Sequence, residues 1–266
     1  MSKSIFRLAV AAAFISLVAV STAFAQDFQR TYEIGFGAPI SIRSVSGDVK
    51  VIGYDGGAIM VTGTKSGRDR HLVEVEDRST GNSVDVRVHY PEQCNCDASI
   101  NFEVRVPRGT RYKFENISSA SGDITVSGVT GDVQARSASG DVTVTDVTGV
   151  VNASTASGDV KVKNIIGAAS AKSASGDVEA EITRLDGGGN MEFSSTSGNV
   201  KVKLPASLGA EINMSVLSGS IHSDFPLDIQ ERERAGMGRS ARGRVGDGSR
   251  TLKLSSVSGS VTLTRQ

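Results

Sequence analysis

The 266-residue chain has no tryptophan, four tyrosines and nine phenylalanines. So few rings exclude a core assembled from aromatic side chains, and the filling must come from Val, Ile and Ala. Histidine is scarce as well: His71, His89 and His222 are scattered and carry no metal-ligand or general-base spacing. No Gly-x-Ser-x-Gly elbow, phosphate-binding loop or His-Glu-x-x-His helix occurs. Neither sign of charge is in excess, with 29 basic against 29 acidic residues. That balance excludes a nucleic-acid binder and a strongly cationic surface protein. A long apolar run occurs once, from Leu8 to Val20, after Lys3 and Arg7 and before Ala23-Phe24-Ala25. It is too short to span a membrane comfortably and reads as a signal peptide over 1–25, cut before Gln26. No cysteine follows the cut to carry a lipid, so the expectation is a periplasmic or secreted protein that does not span the membrane. Cleavage removes Lys3 and Arg7 and no acid, so 27 basic residues remain against 29 acids, a formal charge of −2.

What the chain has instead is glycine at a fixed step. Gly122, Gly131, Gly140, Gly149, Gly158, Gly167 and Gly176 are nine residues apart, and Ser-Ala-Ser-Gly-Asp-Val returns every eighteen. Such a period is the signature of a solenoid. Apolar residues follow each glycine at offsets two, four and seven, as strand alternation with one more inward residue requires. One half-coil carries large residues: Ile124, Val126, Val129; Val142, Val144, Val147; Val160, Val162, Ile165. The other half carries small ones: Val133, Ala135, Ala138; Val151, Ala153, Ala156; Ala169, Ala171, Ala174. Facing walls of large and small residues can interdigitate at native density. The expected fold is therefore all-β: a two-walled parallel β-solenoid, roll-like or helix-like, of about 18 residues per coil.

The glycine of each corner gives backbone freedom, and the following Asp accepts hydrogen bonds from nearby amides and fixes the turn. Gly122 with Asp123, Gly140 with Asp141, Gly158 with Asp159 and Gly176 with Asp177 are read as structural corners, stacked about 4.8 Å apart. Outward positions run Thr125/Ser127, Thr143/Thr145, Lys161/Lys163, Glu179/Glu181 and Lys201/Lys203, so ion pairs should cross between coils. A calcium β-roll also has a nine-residue period, but it needs Gly-Gly-x-Gly-x-Asp turns, and here one glycine meets one acid. No cofactor is implied.

Residues 26–115 form a β-rich N-terminal part, read as the capped opening of the 116–266 repeat. Tyr32 to Ile42 alternates, 44–51 is an early repeat copy, and strands are expected near 59–64, 73–77, 83–90 and 100–106, with a turn at 107–110. Cys94 and Cys96 lie here. The two cysteines admit a local disulfide, a bridge to another chain, or half of a soft-metal site with His71 or His89, and the local disulfide is the default. Past Gly176 the period loosens, with degenerate corners at Ser218-Gly219-Ser220-Ile221 and Ser258-Gly259-Ser260-Val261. Between them an excursion over 226–250 holds Arg234, Arg239, Arg242, Arg244 and Arg250 against Asp247 from 234 onward, a local +4. It reads as a solvated loop or long hairpin, with polyanion contact through Arg234, Arg239, Arg242 and Arg244 as the sharper alternative.

The Ser-x-Ser-Gly-Asp-Val repeats, Val-Pro-Arg-Gly-Thr at 106–110 and the closing segment at 246–261 resemble a bacterial β-strand-repeat family labelled "putative adhesin", a domain of unknown function. The resemblance spans about 40–266 and implies a right-angled stack of short strands in an exported or envelope protein, without catalytic residues. The functional expectation is a non-catalytic envelope-associated binding protein whose partner is a cell-surface glycan, lipopolysaccharide or an envelope protein. A glycan-cleaving β-helix enzyme and a structural spacer are the alternatives.

Overall fold

The computed structural model describes residues 27–92, 94–231 and 238–266. The expected leader and Arg234 lie outside the described residues. Short strands stack into two walls. In spatial order the first wall runs Val84–His89, Pro39–Ser46, Arg111–Ser121, Thr130–Ser139, Val151–Ser157, Ala169–Ser175, Met191–Ser197, Arg250–Ser258 and Ala210–Ser218, all parallel. The second runs Ser99–Pro107, Val49–Tyr54, Ile124–Ser127, Val142–Thr148, Val160–Ile166, Val178–Arg184, Val200–Leu204, Val261–Arg265 and Ile221–Ser223. In the regular middle the partners are eighteen residues apart: Val142 faces Val160, Val160 faces Val178, and Val133 faces Val151.

Side chains at Val142, Val144, Val160 and Val162 are fully buried, as are Val133, Ala135 and Ala171 across from them. Each buried Val removes enough apolar surface from water to contribute about 1.5–3 kcal/mol. The few rings gather toward the ends, where Tyr112 and Phe114 pack edge to face 6.4 Å apart and Phe102 and Phe193 are buried.

One alternation differs from the sequence reading. Val129, Val147 and Ile165 point inward as expected, but Ala138, Ala156 and Ala174 are exposed, and Ser137, Thr155 and Ser173 take the inward place. The reason is a phase reset. In the large half, Gly128, Asp146 and Asn164 sit at φ of 64°, 55° and 54°, a left-handed step that turns the next residue inward. Their stack is tied by Asn164 Nδ2 donating to Asp146 Oδ1 at 3.0 Å. The small half has no such step, so strict alternation continues and buries the hydroxyl residue.

A second difference lies in the order of coils. The 39–54 coil sits between the 84–107 and 111–127 coils, and the C-terminal 250–265 coil is inserted between 191–204 and 210–223. The coils nearest both chain ends therefore have neighbours on two sides. Tyr32 to Ile42 is likewise not one strand: Phe28–Tyr32 and Pro39–Ser46 belong to opposite walls, separated by the turn at 36–37. Antiparallel strands complete each end. Ile59–Ser66 and Phe28–Tyr32 add to the second wall, and Glu74–Asp77 adds to the first. At the other end Arg239–Val245 pairs with Ala210–Ser218, and Asp228–Glu231 pairs in turn with Arg239–Val245, so the described strands of the 226–250 excursion form a hairpin pair on the edge of the first wall. Tyr32 donates to Asp77 Oδ2 at 2.8 Å and so links the edge strands of the two walls; burial pushes its hydroxyl up to about 12.

Val144→Asp should unfold the stack, because it places an unpaired charge among apolar residues, at a cost above about 3 kcal/mol. Lys163→Ala removes an exposed 3.0 Å pair with Glu179 and should cost less than about 1 kcal/mol. Thermal melts of the two variants measure the contrast, and equal shifts would refute the inward and outward assignment.

Candidate functional site

The repeated corner is where the chain spends its distinctive residues. At each one, three bonds join neighbouring coils. Ser137 donates to the Gly122 carbonyl at 3.0 Å, Thr155 to Gly140 at 2.9 Å and Ser173 to Gly158 at 2.8 Å. The Gly140 amide donates to Ser157 O and the Gly158 amide to Ser175 O, both at 2.9 Å. Asp141 N donates to Asp123 Oδ1, Asp159 N to Asp141 Oδ1 and Asp177 N to Asp159 Oδ1, each at 2.8 Å. The ladder extends both ways, from Asn101 through Asp48 to Asp123, and from Asp177 through Asn199 to Ser260. The aspartates thus receive the amide of the following coil, so they join coils in addition to shaping a turn.

Glycine is required by this approach. A Cβ on Gly140 or Gly158, at φ of 146° and 137°, would stand 2.3 and 2.4 Å from the carbonyl oxygen of the glycine one coil before. Asn199 Oδ1 still accepts the Ser260 amide, and the Ser260 hydroxyl meets the Ser220 hydroxyl at 2.9 Å, so the degenerate copies remain joined from coil to coil.

The remaining predicted residues are dispersed. Cys94 and Cys96 have Cα atoms 5.1 Å apart, within the span of a disulfide. His71, His89 and His222 fall on a 3-10 turn, a first-wall strand and a second-wall strand, and among the described residues no group of three His, Cys, Asp or Glu is placed to hold a metal. Arg239, Arg242 and Arg244 stand on the hairpin strand, with Arg242 opposite Asn213 and Asp228, and Arg244 opposite Glu211. Arg244 donates to Asp247 O, Arg250 to Gly187 O, and Arg239 to Gly219 O. Arg239 thus ties the hairpin strand to the Gly219 corner, Arg244 closes the 244–247 turn, and Arg250 reaches the loop at 187.

The outer walls carry the ionic surface. On the second wall Lys163 pairs with Glu179 at 3.0 Å and Lys203 with Glu181 at 3.5 Å, the expected crossing pairs. On the first wall Glu192 receives both Lys172 and Lys253, and the Lys172 ammonium holds its carboxyl below the ordinary carboxylate range. Near the N-terminal end Arg87 and Arg78 hold Glu76 at about 2. Shallow grooves lie between these rows. One of about 580 Å³ is lined by Asp48, Lys50, Thr62, Asn101, Glu103 and Arg105. Another, about 520 Å³, opens on the first wall between Arg136 and Lys172. Sequence reasoning missed this second groove, because the first-wall outward positions were not followed from coil to coil.

The sequence profile of Toastrack DUF4097 matches residues 38–150 and again 99–264, overlapping spans that cover most of the chain. The chain belongs to the Toastrack family. The two spans overlap within the regular repeat, where a shift by whole coils preserves the pattern. Solved structures similar to this Toastrack chain include a putative adhesin from Parabacteroides distasonis, with 10% identity, TM-score 0.41, and coverage of 89% of this chain and 96% of that one. A putative adhesin from Bacteroides fragilis has 12% identity, TM-score 0.40, and coverage of 89% and 96%. A putative cell adhesion protein from Clostridium sporogenes has 9% identity, TM-score 0.37, and coverage of 90% and 99%. No curated protein matches.

Gly158→Ala should lower stability by several kcal/mol, since it combines a left-handed φ with a Cβ against a neighbouring carbonyl. Gly188→Ala, where nothing lies within 4 Å of the added Cβ, should shift stability by no more than about 0.5 kcal/mol. Urea unfolding of both variants checks this. A Gly158→Ala protein as stable as the parent would show that the corners do not need close backbone approach.

Proposed function

We propose that this Toastrack chain is an exported, non-catalytic binding protein of the bacterial envelope, a rigid β-solenoid of about 18 residues per coil that presents its flat outer walls to a surface partner. The observation that carries the reading is the use made of its chemistry. The repeated acids accept amides of the next coil, the repeated hydroxyls accept burial to bond glycine carbonyls, and the interior is filled by aliphatic side chains. What remains for contact is displayed outward in rows of Lys, Arg, Glu, Asn, Gln and Ser. The leader at 1–25 supports export to the periplasm or beyond. Export in turn suits an oxidised Cys94–Cys96 pair. The antiparallel strands at each end serve as caps, because they cover edges that would otherwise recruit other chains. Surface glycan, lipopolysaccharide and envelope protein are the partner classes, with the arginine hairpin at 239–244 as one contact region and the walls as the other.

The test is a pull-down of envelope fractions and whole cells with the mature chain, beside an Arg239→Gln/Arg242→Gln/Arg244→Gln variant. Substitution is preferred to deletion because removing 230–248 would strip a paired strand from the first wall. Retained binding by the triple variant supports the walls as the contact surface. Loss places contact in the hairpin, and no binding by either protein overturns the binding reading in favour of a structural spacer.

A further inference from the structure

We propose that the first-wall groove between Arg136 and Lys172 binds an extended acidic glycan chain, one bearing uronic-acid carboxylates. The proposal rests on the binding role above and names its site and ligand class. Two rows of side chains run across three successive coils here. Arg136 is in register with Ser154, and Ser154 with Lys172; beside them Gln134 is in register with Asn152, and Asn152 with Ser170. The groove they line has a volume of about 520 Å³.

Its charge is one-sided. No carboxylate lines this groove, whereas Asp48 and Glu103 line the one at the N-terminal end, and Asp159, Asp177 and Glu179 line one on the second wall. The nearest acids are already engaged. Asp132, two residues before Gln134, receives Arg111 at 2.9 Å and the Val150 amide at 3.1 Å. Glu192, beyond Lys172, is shared between Lys172 and Lys253. Arg136 is exposed and has no hydrogen-bond or ion-pair partner among the described residues. Its planar fork is free to take a carboxylate by two parallel bonds.

The neutral row argues for a sugar over a peptide. Ser170 Oγ accepts the Glu192 amide at 3.2 Å, which leaves its proton to donate outward. Gln134 and Asn152 each present a donor and an acceptor, the combination that hydroxyl-rich rings require. No apolar pocket is present among these six side chains to take a peptide's side chains. Successive coils are about 4.8 Å apart, so Arg136 and Lys172 are separated by about 9.6 Å. One coil corresponds to roughly one sugar of an extended chain; Arg136, the uncommitted cation, then takes one carboxylate, and Lys172, which gives one of its three protons to Glu192, offers the other two to the carboxylate of the alternate sugar.

The experiment measures binding of the mature full chain to a short oligogalacturonate, to its methyl-esterified form, and to polyglutamate, at low salt. The parent should bind the acidic sugar and lose at least tenfold in affinity for the ester. Arg136→Gln should weaken acidic-sugar binding about tenfold, the loss of one charge-assisted contact, while its melting temperature stays within error of the parent. Arg68→Gln, on a turn at the N-terminal end and paired with Asp97 at 2.8 Å, should leave the affinity unchanged. Equal affinity for ester or polyglutamate would overturn the proposal, as would acidic-sugar binding that survives Arg136→Gln or disappears with Arg68→Gln. Absence of sugar binding by a chain that still captures envelope fractions would sink this proposal and leave the broader binding role standing.

Discussion

The fold depends on the closeness of one glycine to the next. At each corner the backbone of one coil lies against the carbonyl of the coil before, too near for any side chain, and that proximity brings an amide within reach of the preceding carboxylate. The serine or threonine two residues before the exposed serine then turns inward and donates to the same carbonyl. A single short motif thus satisfies the polar groups of a tight corner that would otherwise be left without partners. Each such bond contributes only about 1 kcal/mol. Repetition along the stack makes them decisive, and it lets thin Val and Ala layers serve as a core without large rings.

Stacking identical corners also aligns like charges. Asp123, Asp141, Asp159 and Asp177 form a column on one edge, and each has one oxygen committed to the following coil's amide. On the flat faces the opposite arrangement holds, with Lys, Glu and Lys in successive coils of the second wall. These exposed pairs are screened and individually weak. Their contribution lies in keeping coils in register, since a slip of one coil would place Lys against Lys.

Much of this was legible in the residues. The period located the corners, the large half-coils gave the inward Val and Ile, and the alternation of Lys161, Glu179 and Lys201 anticipated the ionic rows. The inward hydroxyls were not read, because a residue's face depends on the backbone phase of what precedes it. The left-handed types Gly128, Asp146 and Asn164 against Ser137, Thr155 and Ser173 were the available signal. Coil order was not legible for a different reason. Degenerate corners such as Gly219 and Gly259 are interchangeable locally, and only long-range pairing decides which lies against Gly198. The 520 Å³ groove is a product of register between coils, so no single stretch of sequence announces it.

The central claim is that the corner amides are held by the aspartate ladder although the corners themselves face solvent. Native-state hydrogen exchange at the amides of Asp141, Asp159 and Asp177 tests it most directly. The account predicts exchange as slow as at the neighbouring buried-strand amides of Val142, Val160 and Val178. Exchange at those aspartates as fast as at the open turn around Gly188 would contradict it.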